Sequence, residues 1–180
     1  HYLGSAKTFI RFGKALAETM LGMEASGTTT GHAKSLNLSQ RGPAVLKPDA
    51  LREYVQAFNS QDYSHGGQAI ANEAAADWMA SNVPLFECPD KDIEEIYHFR
   101  WWTFRKHIKE TSDGFVITEF LPQVPWSAKH NTISCPAGHH FREARWIRDK
   151  RYLDDYAVFW FRKGGSPRRY SFWAADAVYQ

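Results

Sequence analysis

The chain has little of several things, and each shortage removes a class of protein. Two cysteines among 180 residues, Cys88 and Cys135, cannot form a disulfide-rich scaffold, and no CxxC pair is present to grip zinc. No stretch approaches eighteen apolar residues, so no membrane-spanning helix is expected. A formal charge of +2 is too small to argue for nucleic acid as partner. Neither HExxH nor GxSxG occurs, which removes the commonest zinc-peptidase and serine-hydrolase signatures. Hydrophobic residues at 43% and charged residues at 23% are ordinary for a globular chain.

Aromatics, by contrast, are plentiful and lopsided. Residues 1–90 hold 8 of the 27 aromatics and carry a net charge of −2. Residues 91–180 hold the other 19, with six of the seven tryptophans and a net charge of +4. Leu, Ile and Val fill a core without an N–H to satisfy, so six tryptophans in ninety residues point to aromatics that line a surface or cleft. The competing reading is that they fill a helical core.

The patterning divides the chain in two. Residues 1–83 form a helical lead-in, with an amphipathic pattern at Ser5–Glu24 and a small, polar linker at 25–43. Two helices follow, one capped by Asp49 and carrying Leu51, Tyr54, Val55 and Phe58, the other Ala-rich and ended by Pro84. Residues 84–180 begin with a helix capped by Asp90 and running to about Lys109, with an apolar stripe of Ile93, Ile96, Tyr97, Trp101, Phe104 and Ile108. Ser112-Asp113-Gly114 turns the chain into one short strand near 115–121. Three more helices are expected: one from Pro136, one capped by Asp149 and stopped by Gly164-Gly165, and one from Ser166-Pro167 to Gln180. The fold class is therefore mainly α, built of stacked αα-hairpins with one short strand.

The chemistry concentrates in three segments, ITEFLPQVPW (117–126), HNTISCPAGHHF (130–141) and GGSPRRYSFWAADA (164–177). Trp126, Tyr170, Phe172 and Trp173 suit the apolar faces of sugar rings, while Asn131, His139, His140 and Arg169 suit their hydroxyls. Adjacent histidines point about 100° apart on a helix, so His139 and His140 do not favour a shared metal, and no cofactor is expected. Acid–base work on a glycoside needs two carboxylates. The candidates are Glu119, Glu143, Asp154, Asp155 and Asp176, of which Asp176 lies in the aromatic segment. Cys135 before a helix, with His139 one turn on, reads as a structural thiol before a nucleophile.

In those three segments the chain resembles bacterial glycoside hydrolases of the six-hairpin, or (α/α)6-barrel, type, the relatives of trehalase and mannosylglycerate hydrolase. The likeness covers about residues 84–180. It implies a saccharide pocket lined by loops at one end of the helices, with Asn131-Thr132 and Tyr170–Trp173 among the pocket positions, and hydrolysis with inversion. It also implies that acid and base come from later hairpins, as if this were an N-terminal fragment of the enzyme. Carbohydrate is the implied partner, and a secreted or periplasmic address is favoured over the cytoplasm. The alternative reading is a non-catalytic helical domain that binds carbohydrate or protein.

Overall fold

The computed structural model describes residues 46–62, 69–170 and 173–179. The amphipathic segment 5–24, the linker 25–43 and Phe172 lie outside these. Six α-helices and one two-stranded sheet make up the described chain. In order they are α1 (Asp49–Ser60), α2 (Ala75–Asn82), α3 (Lys91–Lys106), β1 (Ile108–Thr111), β2 (Gly114–Ile117), α4 (Ala137–Ala144), α5 (Arg151–Arg162) and α6 (Trp173–Tyr179). Short 3-10 turns precede α2 at Asn72–Ala74 and fill the loop before α4 at Lys129–Asn131. No helix here is long and apolar enough to cross a membrane.

Local chemistry explains most of the boundaries. Asp90 starts α3, its carboxylate accepting the N–H groups of Asp92 and Ile93 at 3.0 and 3.3 Å. Gly164 lies beyond α5 at φ +91, a conformation that penalises any Cβ. Beside it, a Cβ on Gly165 would fall 2.8 Å from the Trp160 Cα, so the chain leaves α5 in contact with its last turn. On α4, Ala137, Phe141 and Ala144 are buried as their spacing predicts, and Ile147 follows them inward.

Three expectations change. The helix from Asp90 stops at Lys106 instead of running to about Lys109, because Ile108–Thr111 pairs antiparallel with Gly114–Ile117. The result is a hairpin of two strands where one was expected. Its turn needs Gly114 at φ +98, and the Thr118 N–H extends the pairing to the His107 carbonyl at 3.0 Å. The α3 stripe is also broader than expected, although Trp101, Phe104 and Ile108 are buried as their spacing predicts. Ile93 is exposed, while Glu94, His98, Arg105 and Lys106 are buried with Trp101, Trp102 and Phe104. That burial is tolerable because partners await the charges. Lys106 pairs with Asp62 at 2.8 Å, and Arg105 donates to the Ile70 carbonyl at 2.6 Å and to Asn72. Finally, residues 167–170 form a turn where a helix from Pro167 was expected, and the described helix α6 is Trp173–Tyr179.

The core joins these elements through aromatic contacts. α1 packs on α3, with Phe58 against Phe99 and Trp102 at 5.2 and 5.7 Å between ring centroids. α5 lies across β2, and Phe115 meets Tyr152 edge-on at 4.8 Å. α6 packs on α4, with Ala174 and Ala177 fully buried, so small side chains set a close approach. The six tryptophans of residues 91–180 divide evenly. Trp101, Trp102 and Trp160 are core, whereas Trp126, Trp146 and Trp173 are more than half exposed.

Candidate functional site

The loop between β2 and α4 is built around one side chain. Asn131 is buried, and its amide fills every hydrogen-bonding position it has. Nδ2 donates to the carbonyls of Phe120 and Pro122 at 2.9 and 2.8 Å. Oδ1 accepts from the Val124 N–H at 3.1 Å and the Ser127 hydroxyl at 2.8 Å. The Asn131 carbonyl in turn accepts the Thr118 hydroxyl. An asparagine read from sequence as a hydroxyl binder is thus saturated inside its own loop, with no donor or lone pair left for a ligand. What this network presents is Trp126, 59% exposed and in perpendicular contact with Phe120, at 6.1 Å between centroids and 86° between planes.

The loop is held at its base under backbone strain. His130 and Asn131 both adopt left-handed φ values, 57° and 61°. Asn and His tolerate that region better than most residues, yet each costs about 1–2 kcal/mol there. Tertiary anchors hold them in place. His130 Nε2 meets Asp113 at 2.6 Å, and the Lys129 ammonium bonds both Asp113 and, at 2.9 Å, the Lys163 carbonyl. Contacts with Lys129 first and His130 second hold the Asp113 carboxyl below its usual range. The hairpin turn, the loop and the end of α5 are therefore fastened at one place.

A second polar group lies between α3 and α4. Glu143 bonds Arg100, and its carboxylate is 17% exposed. Burial pushes this carboxyl above its ordinary pKa despite the pull of the guanidinium. Behind it His140 is buried, with Nδ1 3.0 Å from the Tyr156 hydroxyl, and burial lowers its pKa to about 3. His107, with Nδ1 2.8 Å from the Thr118 carbonyl, is lowered by burial to about 4. Both are neutral at pH 7 and serve as hydrogen-bonding core residues. His139, the next residue along α4, is exposed. Trp173 and Asp176 stand one turn apart and exposed on α6, the helix packed on α4. Arg169 and Tyr170 are exposed in the turn that precedes it. No group of three or more His, Cys, Asp or Glu among the described residues is placed to hold a metal ion.

No protein-family model matches the chain, and no curated protein is similar to it. A solved structure is. A protein named sialidase superposes with a TM-score of 0.63 and 47% sequence identity, over 67% of this chain and 11% of its own. This chain therefore spans about a ninth of that protein's length.

The structure brings Trp126 and Asn131 onto one loop, and places His139 and His140 on α4 against the helix of Trp173 and Asp176. Sequence reasoning named Glu143 as one of five candidate carboxylates but did not rank it above the others. It lies one turn after His139 and its sequence context resembles any helix surface; only burial beside Arg100 distinguishes it. Nor did it find the Lys129–Asp113–His130 contact, although Asp113 sits in a legible turn.

Proposed function

We propose that this chain is a saccharide-contacting helical part of a glycoside hydrolase. The observation that carries this reading is the 47% identity, over 67% of the chain, to a protein named sialidase. Such an enzyme, by its name, acts on sialic acid, an acidic sugar joined to a glycan. Exposed Trp126, Tyr170 and Trp173 supply the flat apolar faces that such ligands stack on, and exposed His139 and Arg169 supply hydrogen-bond donors. Asp176, exposed between Trp173 and the end of α6, is the carboxylate proposed to face the sugar. The sequence resemblance to six-hairpin glycosidases extends the reading to acid–base hydrolysis with inversion.

The full chain is tested by isothermal titration with 3′-sialyllactose, lactose and maltotriose, and by release of sialic acid or hexose from each. Binding of at least one saccharide supports the reading, and hydrolysis abolished by Asp176→Asn adds the catalytic role. Absence of both binding and hydrolysis across the panel sinks it. Binding without hydrolysis supports the non-catalytic reading, in which the aromatics serve recognition alone.

A further inference from the structure

We propose that Asn131 is a positioning residue whose hydrogen bonds hold Trp126 outward as a stacking platform for the apolar C–H face of a pyranose ring. This inference rests on the saccharide reading above and assigns that reading a mechanism. Large indoles are normally covered, because their apolar area is better removed from water. Trp126 is 59% exposed, yet its loop is among the most heavily bonded irregular segments of the fold. Residues 118–132 contain the four bonds of the Asn131 amide, the Phe120 N–H to the Thr118 hydroxyl at 3.1 Å, and the Ala128 N–H to the Thr132 carbonyl at 2.8 Å. Pro122 and Pro125 stiffen the same stretch further.

A loop that merely connects β2 to α4 has no use for this. Two consecutive left-handed residues that are not glycine persist only where surrounding contacts over-determine them, and such strain gathers at ligand-binding positions. Here the contacts are those of Lys129, His130 and Asn131, and their combined effect is to fix the segment that carries Trp126. Holding an aromatic in place before a ligand arrives removes an ordering cost from binding. The Phe120 and Trp126 rings meet edge to face, and the indole still keeps 59% of its surface open to a partner. A flat, uncharged face suits a sugar ring, whose C–H groups are apolar on one side.

The test is a double-mutant cycle on the full chain, read by titration with 3′-sialyllactose, lactose and maltotriose. Trp126→Ala should weaken the saccharide bound by the parent by roughly tenfold or more, with an unchanged melting temperature. Asn131→Gly keeps the left-handed backbone comfortable and removes only the side-chain bonds, so it should weaken binding by a similar factor while Trp126 is still present. In the Trp126→Ala background, Asn131→Gly should cost nothing further. With 5-fluorotryptophan incorporated, the Trp126 fluorine signal should move or broaden in Asn131→Gly while that of buried Trp160 stays put. If Asn131→Gly does not fold, Ser127→Ala removes one of the four bonds and takes its place. Parent-like binding by Asn131→Gly, or a further loss in the Trp126→Ala background, overturns the positioning role. Parent-like binding by Trp126→Ala overturns the platform and leaves the saccharide reading intact. A parent that binds none of the three overturns both.

Discussion

Acid should unfold this protein earlier than its carboxylates alone would require. His107 and His140 are buried neutral, with pKa values near 4 and 3 against an ordinary 6.5, chiefly through desolvation. The charges facing them are unhelpful to a proton: Arg100 bears on both, Lys109 on His107 and His139 on His140. Because the folded values are depressed, the unfolded chain binds protons first as pH falls. Stability is therefore complete above about pH 7 and declines from pH 6.5 downward toward the folded values. At pH 5 each unfolded histidine is mostly protonated and each folded one is not, which costs about 2 kcal/mol per site, or about 4 kcal/mol for the pair. His98, lowered by burial, adds to the loss. Glu143, raised by burial, opposes it by taking a proton sooner in the folded state. Asp113, Glu94 and Asp149, all lowered, contribute only at more acid pH. A domain typically holds about 5–15 kcal/mol in all, so the effect is large. Denaturant titrations followed by tryptophan fluorescence at pH 8, 6.5 and 5, at fixed ionic strength, measure it directly. His140→Gln, compared with the parent, should lose about half of the pH dependence. Equal midpoints at pH 8 and 5, or an unchanged pH dependence in His140→Gln, would refute the reasoning.

Three other perturbations have worked expectations. Lys106→Met should destabilise by about 3–5 kcal/mol, since it removes the buried cation that pairs with an Asp62 side chain 6% exposed, whereas Lys106→Met with Asp62→Leu should recover much of that loss; denaturant midpoints of the three chains decide it. Trp160→Ala should cost about 3–5 kcal/mol because the indole is 1% exposed, while Trp173→Ala, 54% exposed, should leave the melting temperature nearly unchanged. Calorimetry that finds the two equal would count against the core assignment. Gly165→Ala should lower the melting temperature by several degrees, because its Cβ would meet Trp160 backbone at 2.8 Å; a neutral effect would mean the end of α5 yields.

The sequence by itself determined what depends on near neighbours. Asp90 capping α3, the Gly164-Gly165 stop and the buried face of α4 all follow from short-range rules of capping, backbone conformation and spacing. The mainly helical class followed from the same periodicities. Tertiary structure decided what depends on a partner far along the chain. The buried face of α3 widened because Asp62, Asn72 and the Ile70 carbonyl, 33 to 44 residues away, could receive Arg105 and Lys106. The end of α3 became a strand because residues 114–117 offered it a ladder, which outweighs helix propensity over so short a run. At the candidate site the residue types were legible, but their roles were not. Asn131 and His140 look like ligand-binding side chains in sequence, and burial turned one into the hub of a loop and the other into a neutral core group. Glu143 looked ordinary until Arg100 and desolvation acted on it. A side chain's chemistry is written locally, but its hydration, and hence its charge and its freedom to bind, is set by whatever the fold brings to cover it.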